Sequence, residues 1–155
     1  MASRAWHWSF VALGAAVLVG GAAVQYSGAL RGNGAFHPLA LRISGVKSGE
    51  GVLRVTICRE AERFPEKCAL ATVLQAKAGV SIVRLPKVEE GAYAVAVFHD
   101  ENKDGRLNMF DGRLVPCEGV AFSNDLFGGS GVPSFDQAEF KFDGKEQRLR
   151  MRYMR

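Results

Sequence analysis

Residues 99–111 (HDENKDGRLNMFD) gather oxygen-bearing side chains at one spacing. Counted from Asp100, side-chain oxygens fall at the first, third, fifth, ninth and twelfth places: Asp100, Asn102, Asp104, Asn108 and Asp111. Gly105 takes the sixth place and Leu107 the eighth. A loop that wraps calcium needs this order. Alternate side chains turn inward around a hard cation, glycine allows the sharp turn, and the seventh-place carbonyl, here that of Arg106, adds a ligand. Asp111 stands where glutamate is usual, so two-oxygen ligation from its shorter arm requires the loop to tighten. Three carboxylates beside Lys103 and Arg106 set a weak affinity, with Kd of about 10⁻⁴ M or poorer. The competing reading is a charged loop whose Asp and Asn side chains cap turns through their own backbone. A strand-like run precedes the loop and no flanking helices are expected, and short motifs of this kind more often resolve as turns.

Other chemistry is sparse. His99 could serve as a base with Cys117 as nucleophile, or with Asp100 or Asp136 as orienter in a hydrolase-type arrangement, and Asp100 with Asp136 could form a carboxylate pair. A lone histidine ending an apolar strand is more often a structural hydrogen-bonding residue, so this enzyme reading ranks last. Gly128-Gly129-Ser130-Gly131 lacks the lysine of a phosphate loop, and no Gly-x-Ser-x-Gly elbow occurs. The three histidines, at 7, 37 and 99, are too dispersed for a multi-histidine metal site. Cys58 and Cys68 bracket the polar segment CREAERFPEKC, and a disulfide there would fix an excursion that burial cannot. Cys117 is then left over, and its bland reading is a small buried hydrophobe.

The elements that must position these groups read as strands. Leu39, Leu41 and Ile43 alternate with smaller or polar neighbours, as do Leu53, Val55 and Ile57. Leu70 to Ala76 follows the cysteine segment, and Val80 to Leu85 runs to a stop at Pro86. Tyr93 to Phe98 is nearly continuous in apolar residues, as expected of a central strand. Residues 100–133 form a long irregular segment. Phe140 and Phe142 then lead through Asp143-Gly144 to Leu149, Met151 and Tyr153, the strongest hairpin signal in the chain. About seven period-two segments with turns at this spacing indicate an antiparallel β-sandwich.

In the 155-residue chain, 48% of residues are hydrophobic, which excludes a disordered tail, and three cysteines exclude a small disulfide scaffold. The net charge of +4 is too small to indicate nucleic acid. Both numbers are unevenly spread. Phe10 to Val24 carries no charge, follows a segment whose one charge is Arg4, and precedes the small residues Ser27-Gly28-Ala29. Residues 1–29 therefore read as a signal peptide or, if uncleaved, as a membrane anchor contacting lipid through residues 9–26. A buried core helix is the remaining reading. Residues 30–37 read as a linker and 38–155 as the domain, placed in the periplasm or outside the cell. Residues 141–155 hold six Lys/Arg against two Asp/Glu, so residues 1–140 balance at fourteen each. On a strand, Arg148, Arg150 and Arg152 share one face opposite Leu149, Met151 and Tyr153. The bland reading is a solvated sheet face; the sharper one is contact with anionic lipid or polysaccharide.

Three blocks, GAYAVAVFHDENKDGRL (91–107), PCEGVAFSND (116–125) and GVPSFDQAEFKF (131–142), resemble in order and spacing the secreted bacterial family grouped as domain of unknown function 2141. The similarity covers residues 39–154. The resemblance implies an exported single domain with an immunoglobulin- or transthyretin-like sandwich, and it carries over no activity or catalytic residues. Relatives tend to have a residue other than cysteine before Glu118, so the family lends Cys117 no role. The leading expectation is an exported β-sandwich binding module, with calcium held by Asp100, Asn102, Asp104, Arg106, Asn108 and Asp111. Its alternative is a structural or interaction domain, without an ion site, that contacts an envelope protein or polymer.

Overall fold

The computed structural model describes residues 34–110, 115–126 and 131–154, and the backbone of 17–19 and 22–26. Most of the N-terminal apolar stretch, and the expected leader with it, lies outside the described residues. Its two described pieces are extended: β1 (Val17–Val19) and β2 (Ala22–Tyr26). Eight further strands follow: β3 (Phe36–Val46), β4 (Val52–Cys58), β5 (Leu70–Gln75), β6 (Gly79–Glu89), β7 (Gly91–Asp100), β8 (Gly119–Phe122), β9 (Phe140–Phe142) and β10 (Gln147–Arg150). The protein is all-β, built on two sheets. The larger runs β1-β2-β5-β4-β7-β8, with β9 also on β7, and the smaller is β10-β3-β6.

The alternating segments close one core between the sheets. Leu39, Leu41 and Ile43 of β3, Val83 and Leu85 of β6, and Leu149 of β10 meet Leu53, Val55, Ile57, Tyr93, Val95 and Val97 of the larger sheet. β7 is buried on both faces, which explains its unbroken apolar run. Its other face places Ala96 and Phe98 in a second cluster with Leu107, Val120 and Phe122, packed over by Phe64, Met109 and Val132. The long irregular segment is thus a cover for the outer face of the large sheet. Just after it a single-turn helix, α1 (Phe135–Ala138), is fixed by a reciprocal cap between Ser134 and Gln137.

Three expectations need correction. The Asp143-Gly144 turn does not make a hairpin: β9 pairs antiparallel with β7, whereas β10 pairs parallel with β3 in the other sheet. The turn carries the chain across the core, because Phe142 and Leu149 both belong inside it. Strand β6 does not stop at Pro86 but continues to Glu89 past a register shift opposite His37 and Leu39. Among the described residues β6 pairs only with β3, and an edge strand tolerates a residue that donates no hydrogen bond. Phe36 and His37, expected in a linker, already belong to β3. The Cys58–Cys68 disulfide is formed, as expected.

Candidate functional site

At the end of β7 the pleat sends His99 and Asp100 to opposite faces. His99 faces inward, fully buried; its Nδ1 lies 2.8 Å from the Tyr153 hydroxyl and its Nε2 2.6 Å from the Glu50 carbonyl. Its described hydrogen-bond partners include neither Asp100 nor Asp136, which sits exposed on the first turn of α1. Cys117 is exposed, which overturns the expectation of burial: it lies in the bend before β8, outside the strand whose residues pack inside. Partial desolvation and the adjacent Glu118 carboxylate push its thiol pKa up.

Asp100 begins the acidic loop and is itself fully buried. Its Oδ1 accepts from the Asp104 amide at 3.1 Å and its Oδ2 from the Gly105 amide at 3.0 Å. Asn102 Oδ1 accepts from the Asp104 amide, and Asp104 Oδ1 from the Arg106 amide. The turn needs left-handed backbone at Lys103 (φ 61°) and Gly105 (φ 80°), the second of which glycine adopts without strain. The side chains then converge: Asp104 Oδ2 accepts from both Asn102 and Asn108 amides, at 3.2 and 3.0 Å, and Asn102 also donates to Asn108 Oδ1. These bonds hold the Asp104 carboxyl below its ordinary pKa, with Asn108 the largest contributor. Asp111 lies outside the described residues; before it, Met109 forms an antiparallel bridge with Pro116.

Two residues complete the site that the spacing did not indicate. Arg54, on β4, donates from Nε to Asp100 Oδ2 at 2.6 Å. Glu118, in the bend just before β8, is buried and clasps both limbs of the loop, accepting from the Glu101 amide at 3.3 Å and the Asn108 amide at 3.0 Å. Burial, with the charges of Asp100 and Asp104 adding to it, pushes the Glu118 carboxyl up to about 7 against the pull of those two amides. The sequence holds a faint signal for each. Arg54 puts a charge on the polar phase of β4, among otherwise uncharged residues, and Glu118 is an acid beside a strand of small and apolar residues. Among the described residues no three His, Cys, Asp or Glu side chains sit at metal-ligand spacing; the loop's donors are carboxylates mixed with amides.

An all-β domain of two sheets, crosslinked at Cys58–Cys68 and carrying an acidic rim loop, is the class of protein these observations define. The chain belongs to the bacterial family described as "Uncharacterized protein conserved in bacteria (DUF2141)", whose model matches residues 41–150. No curated protein and no solved structure matches it. The disulfide is of a kind found in oxidising compartments. Among the described residues no helix is long and apolar enough to cross a membrane.

Proposed function

We propose that this chain is an exported binding module, an immunoglobulin- or transthyretin-like sandwich of the bacterial cell envelope whose 100–111 loop holds a calcium ion. The convergence of Asp100, Asn102, Asp104 and Asn108 within one hydrogen-bonded turn carries this reading. Those are four of the five side-chain donors that the spacing assigns, and hard oxygen donors suit calcium. Asp111 and the Arg106 carbonyl complete the set in the sequence reading. Glu118 reaches the same turn from the bend before β8 and supplies a further carboxylate beside it.

The second reading is a structural or interaction domain without an ion. The Arg54–Asp100 pair favours it, because a guanidinium already neutralises the first carboxylate. Calcium titration followed by calorimetry and thermal melting separates the two. With Kd about 10⁻⁴ M, calcium at ten times that concentration stabilises the fold by about 1.4 kcal/mol. That corresponds to a rise of roughly 5 °C in midpoint. Magnesium, which keeps its waters, gives a smaller rise. An unchanged midpoint and no heat of binding at millimolar calcium would remove the ion and leave the structural reading.

A further inference from the structure

The outward face of the smaller sheet concentrates positive charge. The register sets Arg148 of β10 directly beside Arg42 of β3, and Arg42 beside Ile82 of β6. One row along, Arg150 lies beside Ser44 and Ser44 beside Val80. One row the other way, Ala40 lies beside Arg84. Arg42, Arg84, Arg148 and Arg150 are all exposed, and so are Val80 (39%) and Ile82 (38%). The side chains opposite in the pleat, Leu41, Ile43, Val83 and Leu149, fill the core, which fixes the arginines outward.

Only Arg148 has an acidic partner among the described residues, Glu146 at 3.3 Å on the exposed rim. Arg42, Arg84 and Arg150 have none there. Neighbouring strands run about 4.8 Å apart, so Arg148 and Arg42 are held as like charges side by side. Like charges at paired positions are unfavourable. A face that keeps four arginines together, with two exposed aliphatic side chains among them, is complementary to an anionic surface with an apolar layer beneath it.

From this geometry we infer that the β10-β3-β6 face docks on an anionic phospholipid bilayer. A bilayer presents many phosphates in a plane, matching guanidinium groups spread over three strands, and admits Val80 and Ile82 at the headgroup boundary. Guanidinium pairs with phosphate through two hydrogen bonds, so arginine suits this role better than lysine.

The full chain should be sedimented with phosphatidylcholine vesicles and with vesicles in which about 30% of the lipid is phosphatidylglycerol. Phosphatidylcholine alone measures any insertion by the N-terminal apolar stretch, which the anionic increment leaves out. The anionic vesicles should retain more protein, and added salt should abolish the increment. Each arginine removed should weaken it about fivefold, so R42Q/R150Q should weaken it about 25-fold, while R42K/R150K retains most of it. R84Q reads the same face if the double variant does not fold. Equal binding to both vesicles, or an increment indifferent to R42Q/R150Q and R84Q, would overturn the proposal. Capture by dextran sulfate with no phosphatidylglycerol increment would assign the face to a polyanionic polymer and overturn it too.

Discussion

Arg54 Nε lies 2.6 Å from Asp100 Oδ2, joining the middle of β4 to the first carboxylate of the rim loop. Asp100 is fully buried and the Arg54 side chain is 17% exposed, which makes this a largely internal ion pair. Removing one partner of such a pair costs more than the pair contributes, because the other charge stays buried and uncompensated. Arg54→Ala should therefore lose on the order of 3 kcal/mol in urea denaturation without calcium. Calcium should restore part of that loss, and its affinity for the variant should exceed that for the parent, since a competing cation is gone. A loss that calcium leaves untouched would show that the Arg54 side chain and the ion do not share Asp100.

Glu118 gives the fold a pH dependence of definite sign. Its folded pKa, about 7, lies above its unfolded value of about 4.3. Below pH 4 the carboxyl is protonated in both states, and the folded state bears no penalty. As pH rises through 7 the unfolded chain ionises freely while the buried group resists, so stability is lost. Between pH 5 and 8 the calcium-free protein should lose on the order of 2–3 kcal/mol through this group. Glu118→Gln should flatten that slope, at the expense of one amide hydrogen bond at Glu101 or Asn108. Urea midpoints across this range in the presence of chelator would read it. A slope unchanged by the substitution would place the titration elsewhere.

The Cys58–Cys68 bridge spans ten positions and secures a segment that contributes little apolar burial. Inside the loop, Glu62 caps the Arg59 and Ala69 amides. Beside it, Arg59 donates to buried Glu89 and to the Tyr93 hydroxyl. Closing a loop of this length restricts the unfolded chain by about 2.5–3 kcal/mol. The double variant Cys58→Ala/Cys68→Ala should lose about that amount, and reductant should lower the parent's midpoint while leaving the variant's unchanged. The Arg59 hydrogen bond holds the Glu89 carboxyl below its usual range, so that contact stabilises above the ordinary glutamate pKa and fades as acid protonates Glu89.

The elements were legible where the cause is local. Leu53, Val55 and Ile57 show which face of β4 is inside, and the unbroken run from Tyr93 to Phe98 shows that β7 is covered on both faces. The turn chemistry of Asp100, Asn102 and Asp104 follows from neighbours two to five residues away. What the chain does not reveal comes from long separations. Arg54 meets Asp100 across 46 positions, and Glu118 meets Asn108 and Glu101 only because β8 pairs with β7. Asp143-Gly144 misleads for the same reason. The dipeptide specifies a reversal, but which sheet each arm joins depends on where Phe142 and Leu149 find burial.

Gly119 and Tyr153 test how the last segment locks the inward side of the site. A Cβ added at Gly119 would lie 2.3 Å from the Tyr153 ring, which rests against the glycine. The Tyr153 hydroxyl in turn lies 2.8 Å from His99 Nδ1 and accepts from the Lys47 amide at 3.0 Å. Gly119→Ala should push the ring away and cost about 2–3 kcal/mol, the range of an overpacked interior. Tyr153→Phe keeps the ring but drops both polar contacts, leaving a buried imidazole nitrogen short of a partner, for about 1–2 kcal/mol. Because displacing the ring already breaks those contacts, the double variant should lose less than the two single losses combined, by about 1 kcal/mol. Urea denaturation of all four proteins measures that coupling. Strict additivity would mean that Gly119→Ala is absorbed without moving Tyr153.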